Sequence, residues 1–130
     1  MTRVLADILP AVRGWLDANM AGVLVRDNVP AKWTPAQGSL LTVADDSGPA
    51  HWPVKSQHML RLTAYAAGRD DAVRIATVAA GKLAESNPRP PGVANIKGGD
   101  MGGVLDGRDK ATGAMFASVL LTAQARTVEV

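Results

Sequence analysis

The segment 58–86, HMLRLTAYAAGRDDAVRIATVAAGKLAES, decides the fold of this chain. Residues 58–66 alternate between two faces, and after the first residue one face is entirely apolar: His58, Leu60, Leu62, Ala64 and Ala66. The opposite face is mixed, with Met59, Arg61, Thr63 and Tyr65. Successive side chains of a strand point to opposite faces. The pattern therefore predicts a strand in a sheet that is covered on a single side.

A helix follows this strand almost at once. Gly68 turns the chain, and Asp70 and Asp71 bring negative charge to the first helical turn, where it suits the helix dipole. Apolar residues then recur at helical spacing, namely Ala72, Ile75, Ala76, Ala79 and Leu83. The spacing predicts a helix over 69–86, ended by the Asn-Pro pair that follows it.

This helix is also apolar or small on a second side, through Val73, Thr77, Val78, Ala80 and Ala84. A helix with apolar residues on more than one side is often covered by a second body. Two interpretations remain open: the second side meets another subunit, or it lies in a crevice of its own fold.

An amphipathic helix is predicted near the N-terminus from the stripe Leu5, Ile8, Leu9, Val12 and Leu16. We place it at 7–19, with Asp7 as the N-cap and Pro10 in the first turn, where proline is tolerated. A longer, kinked helix capped by Thr2 is the alternative.

The remaining chain predicts strands at 23–25, 39–43, 92–96 and 114–126. Residues 44–53 are rich in turn formers, and the glycine-rich segment 97–113 is predicted as a mobile loop or a long hairpin tip. Strands that follow one another directly favour antiparallel pairing. The prediction is a single α+β domain over 1–130, with two helices on one face of a mostly antiparallel sheet of four or five strands.

Composition restricts the class of protein. The chain has 130 residues, 47% hydrophobic and 20% charged, which is enough for one domain with a core. It has no cysteine, which excludes disulfides and thiolate chemistry and fits a reducing cytoplasm. No signal peptide and no apolar run of about 20 residues is apparent, so we expect a protein that is soluble when made.

Residues able to carry chemistry are few. His51 and His58 stand at no metal-ligand spacing and are interpreted as surface or strand-end histidines. Asp100, Asp106 and Asp109 do not match a calcium loop and are interpreted as solvated turn residues. The glycine-rich segment lacks the ending of a phosphate loop, and no serine lies in a GxSxG motif. We therefore expect no enzyme, no cofactor and no metal.

The three tryptophans are the notable aromatic residues. Trp15 lies beside the stripe of the first helix and is predicted to belong to the core. Trp33 and Trp52 both lie in loops that contain proline. They are either interface anchors, a frequent role of exposed tryptophan, or packed against each other at the edge of the core.

The central segment combines Arg and Tyr-Ala on its strand, a Gly-Arg corner, and a helix with recurring alanines and a closing leucine: Arg61, Tyr65, Ala66, Gly68, Arg69, Ala72, Ala76 and Leu83. Before it lies the Trp-Leu helix ILPAVRGWLDANM, and after it DKATGAMFASVLLTAQAR, where Asp109 and Gly113 lead into a long strand. In this order the segments resemble the tail terminator (tail completion) proteins of long-tailed bacteriophages, especially those infecting actinobacteria. The segment GVANIKGGDMGGVLDG departs from that pattern.

The resemblance implies a homohexameric ring that sits on the completed tail tube, stops further addition of tube subunits and presents a joining surface to the head. It implies no catalysis and no cofactor. The expected partners are other copies of the chain, the tail tube protein and the head connector or stopper protein, with phage DNA only passing through the lumen and no membrane. The expected location is the virion neck, after assembly in the host bacterial cytoplasm. The candidate interface residues are Arg26, Trp33, Trp52, Lys97, Arg108 and Arg126.

Three alternatives stay open. Another neck protein, such as a head-closure protein, would share size and composition. A small α+β enzyme or ligand-binding domain would need a pocket lined by convergent polar groups. A nucleic-acid-binding module would need clustered basic residues with stacking aromatics, whereas the basic residues here are scattered and the net charge is only +2.

Overall fold

The structure is a computed structural model that describes residues 2–97 and 101–130. Its helices are α1 (Leu9–Asn19) and α2 (Arg69–Ala84), and a 3-10 turn lies at Pro35–Gln37. Its strands are β1 (Arg3–Val4), β2 (Leu24–Arg26), β3 (Leu40–Asp45), β4 (Ala50–His51), β5 (Lys55–Ala66), β6 (Asn95–Lys97), β7 (Leu105–Arg108), β8 (Met115–Arg126) and β9 (Val128–Glu129).

The main sheet follows the order β2-β3-β5-β8-β6, with β4 also paired to β5 and β7 to β8. All of these pairs are antiparallel except β2 with β3. The predicted α+β class and mostly antiparallel sheet are therefore confirmed. The sheet has seven strands rather than four or five, because β4 and β7 lie in segments predicted as turn and loop.

The parallel pair corrects the prediction of direct antiparallel succession. Leu24 of β2 lies opposite Leu40 of β3, and Arg26 lies opposite Thr42. Parallel neighbours need a connection of about a dozen residues to bring the chain back. The segment 27–39, which includes the 3-10 turn, provides that length.

Strands β5 and β8 form the central ladder of the sheet. They pair along their full length, from Lys55 opposite Arg126 to Ala66 opposite Met115. β5 begins at Lys55 rather than at His58. Buried residues of both helices and of alternate positions in the central strands form one apolar cluster, including Val12, Leu16, Leu41, Leu62, Ala76, Ala79 and Leu121. The alanines on the buried side of α2 have small side chains, which lets the helix pack closely on the β5–β8 ladder.

The helix ends differ slightly from the predictions. α1 begins at Leu9 with Ile8 as its N-cap, whereas Asp7 was predicted. The Asp7 carboxylate still accepts a hydrogen bond from the Leu9 backbone N–H at 3.2 Å. The alternative of a helix capped by Thr2 is wrong, because Arg3–Val4 is a strand. α2 ends at Ala84 rather than at Ser86.

The second side of α2 is mostly used within the chain itself. Ala80 is fully buried in the core and Val73 packs against it, so the crevice interpretation holds for these residues. Thr77 and Val78 remain exposed.

In the glycine-rich segment, residues 98–100 lie outside the described residues, and β7 forms a hairpin with β8. The Asp109 N–H donates to the Ala114 carbonyl and the Gly113 N–H donates to the Asp109 carbonyl, both at 2.8 Å. Gly113 has φ +76, a conformation that favours glycine. The hairpin interpretation is thus confirmed for residues 105–113.

A second, two-stranded sheet joins the chain ends, with Arg3 opposite Glu129 and Val4 opposite Val128. No pattern in the sequence predicts this pair. Two-residue strands show no usable alternation, and their partners lie at opposite ends of the chain.

Candidate functional site

One end of the β5–β8 ladder presents an exposed aromatic turn. Trp52 and Val54, between β4 and β5, are 59% and 64% exposed. The Val54 N–H donates to the His51 carbonyl at 2.7 Å. The Thr127 hydroxyl donates to the Pro53 carbonyl at 2.6 Å, and the Thr127 backbone N–H donates to the Val54 carbonyl at 3.2 Å. The indole is therefore held out on a turn that is fixed to the ladder.

A basic cleft lies beside this turn. Its cavity of about 660 Å³ is lined in part by Arg3, Lys55 and Arg126. Arg3 is tied to Glu129 at 3.2 Å and to the Thr127 hydroxyl at 3.3 Å. Among the described residues, Lys55 and Arg126 form no ion pair. We call Trp52, Val54, Lys55 and Arg126 the tip surface; it combines exposed apolar area with two cationic groups.

A second cavity, of about 300 Å³, opens on the sheet face that alternates with the core positions. We call it the outer pocket, and its lining is Arg61, Thr63, Tyr65, Leu105, Arg108, Asp109, Phe116 and Ser118. The pairing of Thr63 with Ser118 and of Tyr65 with Phe116 across the ladder brings four of these side chains together.

Polar groups in the outer pocket are organised by their neighbours. The Thr63 and Ser118 hydroxyls lie 2.7 Å apart and share one hydrogen bond, so one of their two protons stays available. Arg61 donates to Asp46 at 2.6 Å. The pKa of Tyr65 is raised above its usual 10.0, first by burial and then by the negative charge of Asp109. Tyr65 therefore stays a neutral phenol at neutral pH.

Exposed apolar side chains lie on the strands and the loop next to the outer pocket. The exposed ones in the neighbouring strands and loop are Met101, Val104, Leu105 and Leu120. The Gly102 N–H donates to the Leu120 carbonyl at 3.0 Å, which places residues 101–105 along β8. Single exposed apolar residues are ordinary, whereas a group of them beside a cavity marks a contact surface.

A third arrangement has the order of a catalytic triad. The Ser56 hydroxyl lies 2.7 Å from His58 Nε2, and His58 Nδ1 lies 2.6 Å from the Asp45 carboxylate. Asp45 also accepts the Ser47 N–H at 2.8 Å. A nucleophile has to reach its substrate, but Ser56 is only 3% exposed and lines neither cavity described above. The arrangement instead fixes the start of β5 to the end of β3.

His58 was interpreted as a surface or strand-end histidine, and it does lie near the start of β5. It is not at the surface, because it is 6% exposed and hydrogen bonded at both ring nitrogens. His51 is exposed in β4, as expected. The sequence signal that was missed is the Ser-x-His spacing, since residues two apart on a strand share a face.

The six candidate interface residues are spread over the fold. Trp52 and Arg126 both belong to the tip surface, and Arg108 lines the outer pocket. Arg26 lies in β2 at one edge of the sheet, where its guanidinium donates to the Val25 carbonyl at 2.8 Å. Lys97 lies in β6 at the other edge.

Trp33 is the candidate that the structure corrects. It is 3% exposed and packs with Leu40 and Ala114, with its ring edge-to-face on Tyr65 at 6.1 Å. A buried ring offers no surface to a partner, and its packing partner is Tyr65 rather than Trp52. Trp15 is partly buried against the core, as predicted.

The aspartates of the glycine-rich segment have structural roles where they are described. Asp106 is exposed, as expected, but it lies in β7 rather than in a turn and accepts a hydrogen bond from Arg69 at 2.8 Å. Asp109 accepts the Ala111 N–H at 3.2 Å and the Thr112 hydroxyl at 2.8 Å, which fixes the β7–β8 turn. Asp100 lies outside the described residues.

Within residues 2–97 and 101–130, no three His, Cys, Asp or Glu side chains are grouped to hold a metal ion. Over the same ranges, no helix has the length and apolarity needed to cross a membrane. No family model matches the sequence, and no curated protein matches it.

Proposed function

We propose that this chain is a structural virion protein, a tail terminator whose ring caps the tail tube and provides the surface for joining the head. Two things support the proposal: the resemblance of its three segments, and the presence of two unlike contact surfaces on one small domain. The proposal includes both helices packing on a single face of the sheet, since residues of both join one cluster with alternate strand positions.

The observation that carries the proposal is that the tip surface and the outer pocket differ in chemistry and lie far apart. Lys55 of the tip surface and Thr63 of the outer pocket lie eight steps apart on β5, or about 26 Å at about 3.3 Å per residue. A ring is built by a head-to-tail contact, in which one surface of each subunit meets a different surface of the next. A subunit for such a ring needs two surfaces of this kind.

The surface available is sufficient for this role. A standard specific interface covers about 800 Å² on each partner. The chain exposes 7085 Å² in total, so two contacts of that size with its neighbours would use roughly a quarter of it. Enough surface remains for the tail tube protein on one side of the ring and the head connector on the other.

The action of such a ring is geometric. By binding the last ring of the tail tube, it would cover the surface that the next tube subunit uses, and tube growth would stop. DNA would pass through the lumen without being held, in keeping with a net charge of +2. No bond is made or broken in this scheme, and the protein would reside at the virion neck after assembly in the host cytoplasm.

One observation favours a small ligand-binding domain as the second candidate function, namely the outer pocket with its convergent polar groups. Its surroundings favour the macromolecular role, because Val104, Leu105 and Leu120 remain exposed around it. A small molecule inside the cavity would leave that apolar area in water, whereas a protein partner would cover it.

The test uses purified protein, free and mixed with tail tubes polymerised from the tube protein. We expect negative-stain images to show one ring at tube ends, and tubes that stop growing once capped. Light scattering gives the mass of the ring. Protein that never joins a tube end and never limits tube length would overturn the proposal, and binding to the head connector alone would indicate a head-closure protein instead.

A further inference from the structure

We propose that Trp52 of one copy of this chain inserts into the outer pocket of the next copy. This inference deepens the ring-forming role proposed above and rests on it. It assigns one residue as the anchor of the head-to-tail contact and one cavity as its receptor.

Trp52 cannot reach the outer pocket of its own copy. Lys55, which follows the aromatic turn, is about 26 Å from Thr63 along β5, a distance that no side chain spans. The turn is also held in place by the two hydrogen bonds from Thr127. An indole that enters an outer pocket therefore comes from another molecule.

The chemistry of the outer pocket suits an indole ring. Arg61 and Arg108 bring guanidinium groups to its lining, and Arg attracts the face of Trp more strongly than other aromatic faces. Phe116 and Leu105 supply apolar walls. Aromatic side chains prefer edge-to-face or offset contacts with a ring such as that of Phe116.

The indole N–H also finds an acceptor there. Indole only donates, and the outer pocket is lined by the Asp109 carboxylate and by the Thr63 and Ser118 hydroxyls. Asp109 already accepts from Ala111 and Thr112. A carboxylate has about four acceptor positions, so a further bond is available.

Size and surroundings agree with this occupant. A cavity of about 300 Å³ is at the lower limit for small-molecule sites and has room for one aromatic side chain. Exposed residues around an anchor exclude water from it, and Val104 and Leu120 are placed to do so for the outer pocket. Val54, 64% exposed beside the indole, would meet these residues and bury further apolar surface.

The natural absence of cysteine gives a clean test. Val54→Cys and Val104→Cys are made separately, which leaves Trp52 and the lining of the outer pocket intact. The two proteins are mixed, free and with tail tubes, and treated with a short bismaleimide. We expect a covalent dimer from the mixture, and a ladder of multimers from the double variant. The matched control pairs Val54→Cys with Thr77→Cys, an exposed position on α2.

Adding Trp52→Ala to the Val54→Cys protein is expected to reduce the crosslinked product at least tenfold, and Trp52→Phe to reduce it less. Trp52 is exposed, so these variants keep the fold. Ser118→Leu, which reduces the volume of the outer pocket, is expected to lower the yield as well. A yield no higher than that of the Thr77→Cys control, both with and without tubes, overturns the inference.

The two proposals fail in distinguishable ways. Rings that cap tubes but survive Trp52→Ala unchanged would overturn this contact and leave the tail terminator role standing. A specific Val54–Val104 crosslink in protein that ignores tube ends would support this contact and overturn the tail terminator role.

Discussion

The two faces of strand β5 differ in what determines them. On one face Leu60, Leu62 and Ala64 are fully buried in the main apolar cluster. On the other, Arg61 and Thr63 line the outer pocket. The buried face follows from the pattern of apolar residues alone, whereas the pocket face depends on which residues of β8 and β7 lie opposite. The buried face stabilises the fold, whereas the pocket face leaves its side chains at the surface.

The largest expected effect comes from breaking the buried face. Leu62→Ala deletes a side chain with no exposed area, and truncations of this kind cost about 2–5 kcal/mol. Its neighbour Arg61 is half exposed and pairs with the comparably accessible Asp46, so Arg61→Ala is expected to cost less than about 1 kcal/mol. Urea unfolding of both variants measures the difference. Equal losses of unfolding free energy in the two variants would show that the buried face does not stabilise the fold more than the pocket face does.

The buried face of β5 could be predicted because its pattern appears within a short stretch of sequence. The alternation over 58–66 and the helical stripe from Ala72 to Leu83 each appear in one short window, and the structure confirms both elements. The parallel pair of β2 with β3 and the terminal pair of β1 with β9 obey no local rule. They depend on where distant segments return, which periodicity does not encode.

The outer pocket could not be predicted from the sequence, for the same reason. Arg61, Thr63 and Tyr65 appear in the sequence as an unremarkable mixed face, and their pocket exists only because Phe116 and Ser118 lie opposite. Two residues of the tip surface, Trp52 and Arg126, were named from the sequence, since a tryptophan in a loop that contains proline is a local signal. That signal misplaced Trp33, which lies in a similar loop but is buried by Tyr65 and Leu40.

An intermediate effect is expected at the start of β5, where the buried face becomes polar. Asp45→Ala removes the acceptor of the His58 Nδ1–H and of the Ser47 N–H, and leaving a buried donor unpaired costs about 1–3 kcal/mol. Asp45→Asn keeps a carbonyl oxygen at the same place and is expected to recover most of the loss. Thermal unfolding of the two variants tests the difference.

The matched control for this position is the adjacent Asp46→Ala. Asp46 pairs with Arg61 at a side-chain exposure of 40%, so its removal is expected to cost less than about 1 kcal/mol. If Asp46→Ala and Asp45→Ala lowered the free energy of unfolding equally, His58 would not depend on its carboxylate partner.

The smallest expected effect is a change in the pKa of Tyr65, which tests how charges are arranged around the outer pocket. Tyr65 is the only tyrosine of the chain, so the absorbance of tyrosinate reports its titration directly. Its pKa is raised by burial first and by Asp109 second, and is lowered by Arg61. Because the pKa of Tyr65 is higher in the folded protein, Tyr65 contributes stability that is fully present below about pH 10, its pKa in the unfolded chain. This contribution is lost as the pH rises through the pKa of the folded protein. We expect Asp109→Asn to lower the pKa of Tyr65 and Arg61→Gln to raise it, because the two changes remove charges of opposite sign. Shifts in the same direction would mean that the pocket residues do not surround the phenol as the structure places them.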